Sequence, residues 1–338
     1  MEKARPVNLA LQGGGAHGAF TWGVLDRLLE EPGLEIEAIS GTSAGAMNAV
    51  VVADGLMKGG REEARRGLRD FWSAVSRAAL WSPVRSTPLD RFRGSYNLDH
   101  SPGYLFFDLL SRTLSPYQLN PCNANPLRDI LADQVDFERV RRCDRIKLFI
   151  SATSVQTGRI KVFRHDELCP EALMASACLP HLFQSVEIDG ESYWDGGYMG
   201  NPALFPFAYR CTSPDVVIVR INPMGCVETP RTAREILNRA NEITFNSSLL
   251  HELRAIEFVG RLLDEGCVDP ARYKKMLVHV IDAEQDLKPF NASSKFNASR
   301  EFLNRLQEVG RSAADAWLRD HKEKLGVEST VDLRSFVG

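Results

Sequence analysis

The chain has 338 residues, of which 44% are hydrophobic, 25% charged and 9% aromatic. That composition is globular and excludes disordered, collagen-like and disulfide-scaffold chains. Lys and Arg total 41 against 44 Asp and Glu, a formal charge of −3, so neither nucleic acid nor an anionic bilayer meets a general electrostatic attraction. Length alone allows two domains, although α/β enzymes of this size are often one.

The seven cysteines (122, 143, 169, 178, 211, 226, 267) are scattered, odd in number and never spaced as C-x-x-C. Reduced thiols in a cytosol fit that usage better than a disulfide framework or a zinc ribbon, and no metal ligand set emerges. The start MEKARPVNLALQGGG is too poor in apolar residues for a signal peptide. No run approaches the ~18 apolar residues of a membrane span, and the best, AVVVADGLM, is broken by Asp54 and Gly55. A soluble, cytoplasmic protein is expected.

In chain order, residues 7–12 (VNLALQ) read as a buried strand ending at Gly13-Gly14-Gly15, and residues 17–30 as a helix closed by Glu31-Pro32-Gly33. A second strand follows over 34–40 and a second helix over 43–57. This alternation predicts a parallel sheet with crossover helices. A third, basic amphipathic helix spans 61–79. Residues 81–125 change character, with five prolines and seven aromatics, and only 105–114 looks helical. A stretch of this length without long periodicity suits a lid or interfacial loop, or an irregular region packed on the sheet edge. Short helices are expected over 125–131 and 136–140, a hairpin over 146–155 and 159–164, a helix over 171–178, and a second hairpin around Asp189-Gly190. Residues 215–222 (DVVIVRIN) form the most apolar strand, a candidate for the sheet centre. A long helix over 231–263, expected to cover the core, a strand over 276–281 and a helix over 299–322 complete the chain. With no repeat or linker, one domain over 1–338 is expected. It is a three-layer α/β/α unit with a mostly parallel sheet, completed by residues 214–325.

The run Gly13-Gly14-Gly15-Ala16-His17-Gly18 satisfies G-x-G-x-x-G and imitates a dinucleotide fingerprint. Such a site also needs an acidic residue at the end of the second strand. Glu35 and Glu37 lie at its beginning, so no cofactor is expected. That end holds Gly41-Thr42-Ser43-Ala44-Gly45, a G-x-S-x-G. Its glycines permit a sharp strand-to-helix turn that projects the serine Oγ at a helix N-terminus, where the dipole favours alkoxide character. The backbone N–H groups of Gly14, Gly15 and Ala16 form a natural cradle for an oxyanion. In a parallel sheet the ends of the first two strands meet at one edge, so the two motifs converge. Trp194-Asp195-Gly196-Gly197 then places an aspartate in a glycine-released turn, able to project into a cleft.

The order GGGAHG, GTSAG, ASACLPHLF and DGG with Asn201 resembles the patatin-like phospholipase family over roughly residues 6–205. The resemblance implies a lipid acyl hydrolase with a Ser–Asp dyad and no catalytic histidine. Ser43 matches the family nucleophile and Asp195 its base. Gly13, Gly14, Gly15 and Gly18 match the oxyanion loop, with Gly41 and Gly45 in the elbow and Gly196 and Gly197 in the DGG turn. Ala175-Ser176 with Pro180 and Phe183 matches the segment before that turn. The implied partner is a lipid ester, at a membrane or lipid-droplet surface, and no metal is implied. Oligomeric state stays open, a homodimer included. One departure is His17, where the family commonly has Arg or Lys. A loop cation would then be pH-dependent or absent, which bears on headgroup preference more than on hydrolysis. Two other readings remain: a Ser–Asp–His α/β-hydrolase using His251, His279 or His321, and a non-catalytic lipid- or partner-binding protein on the same fold.

Overall fold

The first strand, β1 (Arg5–Leu11), is buried from Val7 onward and pairs in parallel with β2 (Leu34–Gly41), so that Leu11 stands beside Gly41. Helix α1 (Gly18–Glu30) connects them after a short 3-10 turn, Gly15–His17. α2 (Ala44–Gly59) and α3 (Arg61–Ala79) follow. The computed structural model describes residues 4–82, 84–85, 95–226 and 228–336.

Next come α4 (Pro102–Thr113), α5 (Pro116–Leu119), α6 (Pro126–Gln134) and α7 (Phe137–Arg141). Each of these four has proline or a side-chain N-cap at its start, which sets the boundary. Then follow β3 (Lys147–Ser154), β4 (Ile160–Phe163), α8 (Pro170–Ser176), β5 (Val186–Ile188) and β6 (Glu191–Asp195). The chain continues through α9 (Phe205–Arg210), β7 (Asp215–Val219), α10 (Ala233–Asp264), β8 (Leu277–Ile281), α11 (Glu284–Leu287) and α12 (Arg300–His321).

The strand order is β5-β6-β3-β2-β1-β7-β8, with β4 on β3 outside that path. The β3, β2, β1, β7 and β8 strands are mutually parallel, and β4, β5 and β6 run antiparallel to their partners. Ile150 of β3 pairs with both Gly41 of β2 and Phe163 of β4, so β2 and β4 occupy opposite edges of β3. Ala152 pairs with both Lys161 of β4 and Asp195 of β6. It follows that β6 shares an edge of β3 with β2 and takes over where β2 ends. The end of β6 is thereby delivered next to the turn that leaves β2.

Strand alternation sends side chains to two separate cores. Val7, Leu9, Leu11, Ile39 and Val219 face the larger one, built with α1, α2, α3 and α12, and α1 packs along α12. Ala10, Ala38, Val216 and Ile218 face a smaller one closed by Phe207 of α9 and by Leu249 and Leu253 of α10. These are the two helical layers of a three-layer α/β/α fold.

Two sequence expectations are corrected. The strand over 215–219 stands one position in from the edge, between β1 and β8; it is apolar from Val216 to Val219 because both of its faces are covered. The long helix covers the core around Asn246–Ile256, whereas Ile236, Leu237, Ile243 and Phe258 are exposed. Of the 81–125 stretch, residues 83 and 86–94 lie outside the described residues. Its described part is more helical than expected, because Ser101-Pro102, Ser115-Pro116 and Asn125-Pro126 each start a helix.

Candidate active site

Ser43 sits at the turn between β2 and α2 with φ 54° and ψ −121°, a backbone conformation that side-chain-bearing residues rarely adopt. Close backbone approach holds it there. A Cβ on Gly45 would stand 2.3 Å from the Leu11 carbonyl oxygen, and one on Gly41 would stand 2.7 Å from the Gly45 carbonyl. Thr42 fixes the turn by donating its N–H to the Leu11 carbonyl at 3.3 Å and its hydroxyl to the Gly200 carbonyl at 2.6 Å. The Ser43 N–H donates to Ser176 Oγ at 2.9 Å, which ties the turn to the C-terminal end of α8. The serine side chain is left half-buried at the start of α2.

Asp195 closes β6 and is 1% exposed. Its N–H donates to the Cys178 carbonyl at 2.8 Å, and its carbonyl accepts from Thr153 Oγ1 at 2.8 Å. Its carboxylate accepts the Gly197 N–H at 2.7 Å, and the Ser43 side chain is near enough to act on its ionisation. Burial raises its carboxyl to about 7, while the Gly197 N–H, the Ser43 hydroxyl and the charge of Lys295 act in the opposite sense. Gly196 lets the turn pass over β3, close to the Ser151 carbonyl oxygen.

The glycine loop lies across from the elbow, and its amides divide into two sets. Gly13 donates its N–H to Asn201 Oδ1 at 2.7 Å. Gly18 donates back to carbonyls of its own turn and packs against Ala44 and Trp72. Among the described residues the N–H groups of Gly14 and Gly15 have no partner, and Ala16 follows them into the 3-10 turn. Gly15 has φ 58°, and a Cβ there would stand 2.5 Å from the Lys295 carbonyl oxygen.

His17 carries no charge to the loop. It is buried against the edges of Phe290 and Phe302, with Nε2 2.7 Å from Ser294 Oγ. Burial, reinforced by Lys295, lowers its ring to about 3.

Several residues at the site escaped the sequence reading. Gln12 accepts at Oε1 from the N–H groups of Ile221 and Asn222, both at 3.0 Å. Its Nε2 donates to Asn246 Oδ1 at 3.3 Å. Asn222 Nδ2 donates to the Gly13 carbonyl at 2.8 Å, and Lys295 Nζ donates to Asn222 Oδ1 at 2.8 Å. The one available signal was polar side chains at the ends of apolar strands, Gln12 after LAL and Asn222 after VIVRI.

The histidines that follow Asp195 lie elsewhere. His279 on β8 pairs with Asp215 at 2.9 Å, at the opposite end of the strands from Ser43. His321 ends α12 beside Lys322, whose carbonyl holds Arg5 at the start of β1. His251 is exposed on α10. A cavity of about 500 Å³ lined by Leu28, Leu34, Leu56 and Arg61 is also remote, lying where β1 and β2 begin.

Among solved structures, the chain is similar to VipD from Legionella pneumophila, at 17% identity and a TM-score of 0.44, covering 95% of this chain and 67% of that one. It is also similar to ExoU in the heterodimeric ExoU–SpcU complex of the Pseudomonas aeruginosa type III secretion system, at 15% identity and a TM-score of 0.39. That match covers 96% of this chain and 53% of that one. Another ExoU structure matches at 14% identity and a TM-score of 0.35, covering 94% and 54%. The chain thus spans about two thirds of the VipD chain and just over half of each ExoU chain. No curated protein matches. The patatin-like phospholipase family model matches residues 9–208, well over half of the 338. On that match, which takes in the glycine loop, the serine elbow and the DGG turn, the chain belongs to the patatin-like phospholipase family.

Proposed function

We propose that the protein is a lipid acyl hydrolase that cleaves carboxylic esters through a Ser43–Asp195 dyad and an acyl-enzyme. Family membership implies a lipid ester hydrolase. The observation that carries the finer reading is a buried aspartate whose ionisation is influenced by the side chain of a serine held at positive φ. Among the described residues the N–H groups of Gly14 and Gly15 have no partner, and Gly13, next to them in the loop, packs on Ser43.

In the first half-reaction the Asp195 carboxylate accepts the Ser43 proton as Oγ attacks the ester carbonyl. The developing oxyanion is received by the N–H groups of Gly14 and Gly15, with that of Ala44 at the start of α2. As the intermediate collapses, Asp195 returns the proton to the leaving alcohol and Ser43 keeps the acyl group. In the second half-reaction Asp195 deprotonates a water, which attacks the acyl carbonyl, and the proton then returns to Ser43 as the fatty acid leaves. A carboxyl near 7 suits both directions, because it is a stronger base than an exposed aspartate and still a usable acid. The whole chain acts as one unit, since Lys295 and Asn222 lie outside the family match yet pack on its glycine loop.

Lipid would approach over α4 and α5. No residue of α4 is buried, and Phe106, Leu109 and Tyr117 are exposed, as is Trp81 just past the end of α3. This segment contacts the Lys295 turn and the chain leading into β5, Tyr104 meeting the Phe296 ring and Tyr117 bonding to Ser185 at 2.9 Å. Amphipathic rings of this kind suit a local lipid contact in a chain of small net charge. Among the described residues no helix is long and apolar enough to cross a membrane. The proposed setting is the cytoplasm, with reversible contact at a lipid surface.

The test is mass-spectrometric profiling of a total lipid extract incubated with wild type and with Ser43→Ala. Free fatty acid released from one lipid class by the wild type alone supports the reading. Identical profiles contradict it and favour a lipid-binding protein.

A further inference from the structure

With His17 neutral, the glycine loop has no charge of its own, and the cation beside it comes from far down the chain. Lys295 lies on the 3-10 segment Ala292–Phe296, whose backbone packs on Gly15. That segment is firmly held. Ser294 Oγ meets His17 Nε2 at 2.7 Å, Ser293 Oγ accepts the Leu98 N–H at 2.9 Å, and Asn291 caps the turn. The half-buried Lys295 reaches inward, and Asn222 links its Nζ to the Gly13 carbonyl through two 2.8 Å hydrogen bonds.

Two carboxylates act on this ammonium through space, Glu242 and Asp195. Glu242 on α10 already pairs with Arg239 at 3.1 Å. Asp195 has no ion-pair partner within 4 Å among the described residues, and its other titratable neighbours, Cys178 and Tyr198, are pushed upward by burial and by Asp195 itself. Lys295 is thus the cation that offsets the buried carboxylate, acting through space rather than by direct contact.

We infer that Lys295 is a positioning residue of the proposed acyl transfer, anchored to the glycine loop through Asn222 so that its field favours the ionised Asp195 and then the oxyanion. The inference rests on the Ser43–Asp195 reading. The same field opposes protonation of His17 and lowers the Asp195 carboxyl against the effect of burial. In turn, Asp195 and Glu242 partly offset the burial that lowers Lys295. Charge at the site is shared between base and lysine, with the neutral histidine packed behind the lysine's own turn.

The test is the rate of fluorophosphonate labelling of Ser43 between pH 5 and 9 in wild type, Lys295→Gln and Lys295→Arg. Glutamine keeps a donor for Asn222 and removes the charge; arginine keeps the charge. In Lys295→Gln the midpoint of the rise with pH is expected to move up by roughly one pH unit. Labelling at pH 7 then falls about fivefold and recovers at pH 9, and Lys295→Arg restores most of the wild-type profile. Thermal melts screen for folding, and Lys295→Met replaces the glutamine variant if that one does not fold. An unmoved midpoint, or a loss of rate equal at every pH, overturns the role of Lys295 while leaving the dyad intact. Absence of any Ser43-dependent labelling in wild type overturns the hydrolase reading, and the role of Lys295 with it.

Discussion

Gly13 donates its backbone N–H to Asn201 Oδ1 at 2.7 Å, and this bond joins the two halves of the site. Gly13 leaves β1 and Asn201 follows the Asp195 turn, so the glycine loop and Asp195 are set in one frame. Asn201 is itself held, its N–H donating to Ser248 Oγ at 3.3 Å and its Nδ2 to the Phe245 carbonyl at 3.3 Å. Replacing Asn201 with Ala leaves a buried donor on Gly13 and frees the loop. The expected cost is about 1–3 kcal/mol in stability, with kcat reduced at least tenfold. Urea denaturation and ester hydrolysis check the two effects; an unchanged kcat would separate the clamp from the chemistry.

Burial of Asp195 costs the fold stability at neutral pH. Its carboxyl lies at about 7 in the folded protein against an ordinary 3.8. Between those values the folded state holds a proton that the unfolded state has released, so its contribution to stability falls as pH rises through this window. Asp195→Asn is therefore expected to be more stable than wild type above pH 7, by roughly 2–4 kcal/mol. The difference closes as pH falls toward 4. Paired denaturation curves at pH 5 and pH 8 test the sign, and an equal difference at both would refute it.

Ser43 is strained in the same way. A non-glycine residue at φ 54° and ψ −121° costs of order 1–3 kcal/mol. Ser43→Gly removes that cost but gains backbone entropy in the unfolded chain. It is expected to be about 1 kcal/mol more stable than Ser43→Ala, with both inactive. A glycine variant less stable than the alanine variant would remove strain from the elbow.

Gly15 tests the loop. Alanine there meets both the positive φ and the Lys295 carbonyl oxygen. Displacing the Ala292–Phe296 segment should lower hydrolysis by about a hundredfold or more, the scale of losing an oxyanion donor. Activity within threefold of wild type would show that Gly14 and Ala44 suffice.

The remaining histidines distinguish a dyad from a triad. His251→Ala and His321→Ala are expected to stay within about twofold of wild type in hydrolysis, the ordinary scatter of substitutions away from a site. His279→Gln is expected to lower the melting temperature, since it breaks the buried pair with Asp215, while the folded fraction still labels at Ser43. Loss of labelling in any one of the three, with the fold intact, would favour a triad.

Much of this was legible in the sequence because the motifs are local. A strand ending in glycines, and a strand ending in G-x-S-x-G, fix where each chain reversal falls. Parallel pairing then forces Leu11 beside Gly41, as found. The delivery of Asp195 was not legible, because it depends on β6 following β2 along one edge of β3, a pairing of residues far apart in sequence. Lys295 was invisible for a related reason. A single lysine in NASSKFN has no periodicity to mark it, and only the packing of that turn on Gly15 brings it to the site. The long helix misled in the other direction. Ile236, Leu237 and Ile243 have helical spacing suited to a core, yet they face solvent because the sheet is already covered nearer Leu249 and Leu253.

The most direct test of the dyad is to trap its acyl-enzyme. Wild type, Ser43→Ala and Asp195→Asn are mixed with an activated long-chain ester, quenched in acid within the first turnovers and mapped by peptide mass spectrometry. The expected result is the acyl mass on the peptide containing Ser43 in wild type, and no such adduct in either variant. Acylation at another residue, or hydrolysis by Ser43→Ala at the wild-type rate, would contradict the assignment.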